Sequence, residues 1–270
     1  MSNFAPLAIS FHSVKQFRLK RCDLKRGALL LLTLLFTNPT IAQLRFQSGP
    51  QAVSVIELYT SEGCYSCPPA DRWLSELKDH HGLFSEFVPL SFHVDYWNYL
   101  GWQDTYSREE FSDRQRRYHR LGQVSGVYTP GMFLDGYEWR LWRGRESVQF
   151  DKKTKNNVGI LSLDLNNDYA ELEFAATNDQ SIPGKAYIAI LGADIEAPIP
   201  AGENKGKTLR HDFVVLELRE STLRKNAVGN FVASVEKLRS ELTAPRYALA
   251  AWVTNEKDNK PLQATGGWLP

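Results

Sequence analysis

Residues Thr60–Trp73 read TSEGCYSCPPADRW, and this stretch decides how the rest of the chain is understood. Cys64 and Cys67 stand two residues apart, and Pro68-Pro69 follows at once. Upstream, VSVIELY (Val53–Tyr59) is a β-branched, mostly apolar run of the kind buried in a parallel sheet. Downstream, PPADRWLSELKDHH has a helical pattern, with proline tolerated in the first turn and Trp73, Leu74 and Leu77 on one face. Strand, short loop and helix therefore meet at the cysteines. Cys64 is expected at the helix start, where the positive end of the macrodipole and unpaired N–H groups favour a thiolate. Cys67, one turn on, is within reach to close a disulfide. Three chemistries remain open for the pair: redox exchange, a metal held by thiolates, and an inert local bridge. A bridge over so short a loop restricts the unfolded chain little, which favours the first.

The N-terminal region sets the compartment. Lys15, Arg18, Lys20, Arg21, Lys25 and Arg26 precede the apolar run GALLLLTLLF (Gly27–Phe36), and Thr40 and Ala42 stand before a plausible cut at Gln43. This is the three-part pattern of a secretory signal at 1–42, too short for the roughly 20 apolar residues of a membrane span. A periplasmic or secreted protein with no membrane span in its mature chain is expected. The segment carries six basic residues and one acid, so removing its +5 from the chain's formal +1 leaves −4. A mature chain of that charge offers no basic patch for nucleic acid. Of three cysteines, Cys22 leaves with the signal, and Cys64 and Cys67 remain to interact in an oxidising compartment.

Further along, FVPLSFHV (Phe87–Val94) reads as a second strand. SREEFSDRQRRYHRLG reads as a charged helix, with Phe111, Tyr118 and Leu121 as core contacts and Gly122 as its stop. PGMFLDGYEWRLW gives two strands joined at Asp135-Gly136. The polar run FDKKTKNN (150–157) is the expected domain boundary, and short alternating strands follow it, including the hairpin VGILSLDLNNDYAELEFAAT. GENKGKT (Gly202–Thr208) has one residue too few between its glycines for a phosphate loop and precedes a strand, so a tight turn is expected. Active positions of parallel sheets lie beyond the carboxyl ends of the strands, which places His93, Asp95, Tyr96 and Trp97 beside Cys64 as a substrate- or partner-binding lip. A packed or hydrogen-bonded role for His93, and a core role for Trp97, Tyr99 and Trp102, are the alternatives.

The order of elements and the Cys-x-x-Cys resemble the thioredoxin superfamily. That resemblance implies a cis-proline facing the cysteines, which Thr129-Pro130 matches, and a buried acid serving the inner thiol, which Glu57 matches. The loop before Cys64 is about one residue longer than in thioredoxin, and the segment between the second strand and Pro130 is longer as well. ELYTSEGCYSCPPAD, SFHVDYWNYLGWQD, VYTPGMFLDG and GENKGKTLRHDFVV more closely resemble an exported bacterial family of unknown function, with a thioredoxin-like domain and a second β-rich domain. The implied fold is α/β: a thioredoxin-like domain over 43–150, its mixed sheet flanked by helices, plus a β-rich domain over 158–270. The implied function is an exported thiol–disulfide oxidoreductase acting on a protein or small thiol partner, with Cys64, Cys67, Pro130 and Glu57 catalytic and Thr129 contacting the substrate. No cofactor is expected. The alternative is a non-catalytic thioredoxin-like binding module holding Cu(I) on the two thiolates, with His93 as a further candidate ligand.

Overall fold

The computed structural model describes residues 44–144, 156–166, 168–177, 183–236 and 238–270. The expected signal at 1–42 and most of the polar run 150–157 lie outside them. In chain order the elements begin with β1 (Leu44–Gln47), β2 (Ser54–Thr60), α1 (Pro68–Glu76), β3 (Phe87–His93), α2 (Glu109–Arg120), β4 (Gly131–Leu134) and β5 (Tyr137–Glu138). They continue with β6 (Gly159–Leu165), β7 (Tyr169–Ala176), β8 (Pro183–Ala193), β9 (Ile195–Pro198), β10 (Thr208–His211) and β11 (Val214–Thr222). The last four are β12 (Arg224–Lys225), β13 (Phe231–Glu236), β14 (Arg246–Asn255) and β15 (Pro261–Trp268).

The local readings mostly hold. Strand β2 pairs in parallel with β3 from Ser54↔Phe87 to Thr60↔His93, and both are buried along their length. The β4–β5 hairpin turns at Asp135 (φ 50°) and Gly136 (φ 81°), where Asp-Gly tolerates the left-handed backbone. Helix α2 carries Glu109 and Glu110 in its first turn and Arg117, His119 and Arg120 in its last, matching both ends of the macrodipole. Phe111 and Tyr118 are buried as expected, but Leu121 is exposed, because the helix has ended and Gly122 (φ 69°) turns the chain.

The expected α/β class does not form. The described residues contain two α-helices against fifteen strands, and the main sheet has eight strands in the order β15-β14-β8-β11-β3-β2-β4-β5. A thioredoxin-like sheet flanked by helices, standing beside a separate β-rich unit, would end near β3. Here Val214 of β11 pairs in parallel with Ser91 of β3, and β8, β14 and β15 extend the same sheet by antiparallel pairing. The protein is mostly β, built on this large mixed sheet and on a five-stranded antiparallel one ordered β1-β6-β7-β13-β12.

The period-two alternation of strands explains how the sheets stack. On β8, Tyr187, Ala189 and Leu191 join the larger core with the helices, while Ala186 and Ile188 face the five-stranded sheet. On β14 the same split separates Ala248, Ala250 and Trp252 from Leu249, Ala251 and Val253. Both strands are apolar on two faces and are therefore central to a layered structure. Burying one such large apolar side chain contributes about 1.5–3 kcal/mol.

Candidate functional site

Cys64 and Cys67 form a disulfide, with Cα atoms 5.4 Å apart. The chain reaches it through tight turns, Cys64 N–H donating to Ser61 O at 3.1 Å and Cys67 N–H to Cys64 O at 3.2 Å. Helix α1 starts only at Pro68, with Cys67 as N-cap and Pro68-Pro69 in the first turn. The residue at the helix end is thus Cys67, not Cys64, because the two turns use up the chain before the first helical residue. Ser66 Oγ lies 3.4 Å from Cys64 Sγ, and since a disulfide sulfur carries no proton, the hydroxyl is the donor. The same bond would stabilise a thiolate there.

Neither sulfur is open to solvent: Cys64 is 2% exposed and Cys67 0%. The loop between β9 and β10, the GENKGKT stretch, is bonded to the cysteine turn. Asn204, itself 0% exposed, donates to Glu62 O at 2.8 Å and to Cys64 O at 3.0 Å. Tyr65 N–H donates to Glu203 Oε2 at 3.0 Å, and the Lys207 ammonium sits 4.5 Å from the Tyr65 ring centroid. The loop is a turn between strands, as its glycines suggested.

Trp97 links the cysteine loop to Thr129-Pro130. A Cβ placed on Gly63 would lie 3.2 Å from Trp97 Cβ, and Trp97 Nε1 donates to Thr129 Oγ1 at 2.6 Å. The Thr129-Pro130 peptide is cis and leads into β4, whose Gly131 pairs with Tyr59 of β2. Pro130 also borders a cleft of about 300 Å³ with Tyr128, Met132, Trp139 and Trp142. A larger depression of about 800 Å³, lined by Glu171, Glu173 and Arg224 among others, includes none of these residues. Asp95 and Tyr96 turn toward α2 instead: Asp95 accepts from Ser112 Oγ, and Tyr96 donates to Gln115 Oε1 at 3.0 Å.

His93 lies in a buried polar cluster at the ends of β2 and β3, where β10 packs on α1. Its Nδ1 is 2.7 Å from Asp104 Oδ2. Burial disfavours the imidazolium, but the adjacent Asp104 carboxylate more than offsets this and raises the His93 pKa to about 9. Asp104 is pushed up by burial and pulled below its usual value by His93 and by N–H donors from Glu62 and Tyr106. His211 stands 4.9 Å from His93, ring to ring, with Glu62 Oε1 3.5 Å from its Nε2 and Asp71 Oδ1 4.0 Å from its Nδ1. Asp71 is four residues after Cys67 on α1, hence on the same helix face. Burial raises its pKa, opposed by the charges of His211 and His93. Sequence reading had no sign of His211, which depends on β10 docking, although Asp71 was visible at i+4 from Cys67.

Glu57 occupies a different place. Arg114 Nε and Nη2 donate to its two oxygens at 2.9 and 3.0 Å, and Tyr59 and Tyr118 hydroxyls each donate at 2.7 Å. Burial pushes the carboxyl up, but the Arg114 charge and these donors bring it below its ordinary value. Both oxygens are committed, which is a poor arrangement for a group that must take up and release protons.

A Cys-x-x-Cys disulfide at the head of a helix, carried on a mixed sheet, defines a paired-cysteine site on a mostly β scaffold. The chain belongs to the family described as a protein of unknown function, DUF1223, which matches residues 55–254. No curated protein matches it. Among solved structures it is similar to protein AGR_C_4864 from Agrobacterium tumefaciens, with 26% identity, 81% of this chain and 95% of that one covered, and a TM-score of 0.50. It is similar in fold to HBP35 of Porphyromonas gingivalis at 16% identity, covering 81% of this chain and 76% of that one, with a TM-score of 0.53. Among the described residues no helix is long and apolar enough to cross a membrane.

Proposed function

We propose that this is an exported thiol–disulfide exchange protein acting through Cys64 and Cys67 on a protein or small thiol partner. The observation that carries the reading is the Cys64–Cys67 disulfide itself, formed across three residues at the head of α1. Ser66 O–H on one sulfur and the helix N-terminus at the other both favour thiolate character. The local motif resembles thioredoxin-superfamily sites, although the surrounding sheet is not that fold. In the oxidising direction a partner thiolate attacks the disulfide and forms a mixed disulfide, releasing the other cysteine as a thiolate. The partner's second thiolate then attacks the mixed bond, so the partner gains a disulfide and the two cysteines gain two electrons. The reverse sequence begins with Cys64 attacking a partner disulfide and ends with Cys67 resolving it.

Asp71 is the residue we assign to carry the proton on Cys67, since burial raises its pKa and it shares the helix face of that cysteine. Glu57 is assigned a structural role in the Arg114 pair. Trp97, Thr129 and Pro130 form the shoulder against which a partner would lie. Export is supported by the three-part pattern of residues 1–42, which makes the periplasm or the extracellular medium the site of action.

A second reading, a binding platform whose disulfide is inert, is favoured by the burial of both sulfurs. Equilibration with glutathione separates the two. An exchange protein reaches a mixed population of dithiol and disulfide at moderate potential, and Cys67→Ser accumulates a mixed disulfide through Cys64. An inert bridge stays oxidised in glutathione buffers and traps nothing. Tight Cu(I) uptake by the reduced chain, abolished by Cys64→Ser, would instead identify a metal-holding module.

A further inference from the structure

We propose that the loop 199–207 is a latch over the Cys64–Cys67 disulfide, and that the pair reacts from a loop-open form. This deepens the exchange reading and rests on it for its physiological meaning, but the latch itself is testable without it.

The loop closes on the cysteine turn through three hydrogen bonds made by Glu203 and Asn204. Gly202 (φ 75°) and Gly206 (φ 81°) bend it, and Gly206 N–H donates to Ile199 O at 2.7 Å, so its base is held by the β9–β10 ladder. Gly202 also passes close over Trp102, where an added Cβ would lie 3.2 Å from the Trp102 Cβ. At the tip, the Asn204 amide spends both N–H bonds on Glu62 O and Cys64 O, which bracket Gly63 just before the disulfide. Lys207 Nζ donates to Asn204 Oδ1 at 2.9 Å and so fixes which way the amide faces. Glu203 takes the Tyr65 N–H on the far side of Cys64. The cysteine turn is thus held at its carbonyls by the Asn204 amide and at the Tyr65 N–H by the Glu203 carboxylate. In this closed form Cys64 is 2% and Cys67 0% exposed, so an incoming thiolate cannot reach the pair without movement of its surroundings.

The contacts that close the loop are also modest. They are a few hydrogen bonds, each of small net contribution, and Glu203, Lys205, Gly206 and Lys207 around the buried Asn204 are exposed. Such a segment opens at far lower cost than the strands that anchor it. A partner whose backbone offers carbonyl acceptors to Asn204, or a donor to Glu203, would exchange one set of bonds for another and open the latch as it docks.

The test follows the reduction of oxidised full-length protein by dithiothreitol. The reductant's thiolate attacks one sulfur, the protein S–S bond breaks, both cysteines leave as thiols with two electrons gained, and the reductant closes to its cyclic disulfide. Asn204→Ala is expected to raise the second-order rate about tenfold, from the loss of two closing hydrogen bonds. Glu203→Ala, at an exposed side chain that the fold does not need, is expected to raise it about threefold and covers the case in which Asn204→Ala does not fold. Rates equal to wild type in folded Asn204→Ala, or in Glu203→Ala if the former is unfolded, overturn the latch. Glutathione equilibration of the same variants keeps the two claims apart. A faster reduction in a chain that never exchanges with glutathione retains the latch and removes the exchange function. Normal exchange with no rate change does the opposite.

Discussion

Replacing Glu57 by glutamine tests whether this acid is an architectural or a proton-carrying group. The substitution keeps the size of the side chain and removes its charge. Arg114 then loses a bidentate partner at 2.9 and 3.0 Å while remaining buried among Phe92, Tyr118, Tyr187 and Trp252, whose ring centroids lie 4.9–5.5 Å from its guanidinium carbon. The amide NH₂ must also face donors, since every neighbour of the Glu57 oxygens is an N–H or O–H group. Breaking a buried pair from one side costs about 3–5 kcal/mol. For a chain of this size that is a fall in Tm of about 6–20 °C. The assay is thermal and urea unfolding of the oxidised protein at pH 7, run beside the pH profile of thiol alkylation on the reduced protein. A large stability loss with an unmoved alkylation profile is the expected pair of results. A stability change below about 1 kcal/mol, with a profile displaced by a unit or more, would refute the assignment and return Glu57 to the thiol chemistry.

Two further outcomes follow from the buried cluster. The His93 pKa is raised from 6.5 to about 9 in the folded chain, so its contribution is fully present below pH ~6.5 and is lost as pH rises through 9. Stability measured by urea unfolding should fall by up to about 3 kcal/mol across that window, and His93→Gln should remove the slope; a flat wild-type profile contradicts the His93–Asp104 pairing. Asp71→Asn should slow exchange at neutral pH by about tenfold or more and flatten the acid limb of its pH profile, whereas an unchanged profile removes Asp71 from proton transfer.

What was legible in the sequence follows the range of the interaction involved. Strand β2, the Asp135-Gly136 hairpin and the charge-sorted ends of α2 are decided by neighbours a few residues away, and each was readable. The joining of β11 to β3 rests on Val214 meeting Ser91, a contact between segments that no local pattern announces. It turned an expected helix-flanked sheet with a separate β unit into one broad mixed sheet. The cysteine pair was readable because a two-residue spacing before proline is a local signal. Glu57 was legible only in part: its acidity in an apolar strand was visible, but its ion-pair partner, Arg114, stands on α2. Asn204 carried no signal beyond a polar turn. Its role arises only when β9 and β10 bring that turn onto the cysteines.

Redox equilibration in glutathione buffers, read by mass after acid quenching, tests the central claim most directly. A reversible two-electron transition of Cys64 and Cys67 is expected at a potential between those of the familiar reducing and oxidising exchangers, about −270 to −120 mV. A pair that stays oxidised down to about −300 mV, as structural disulfides do, would contradict it.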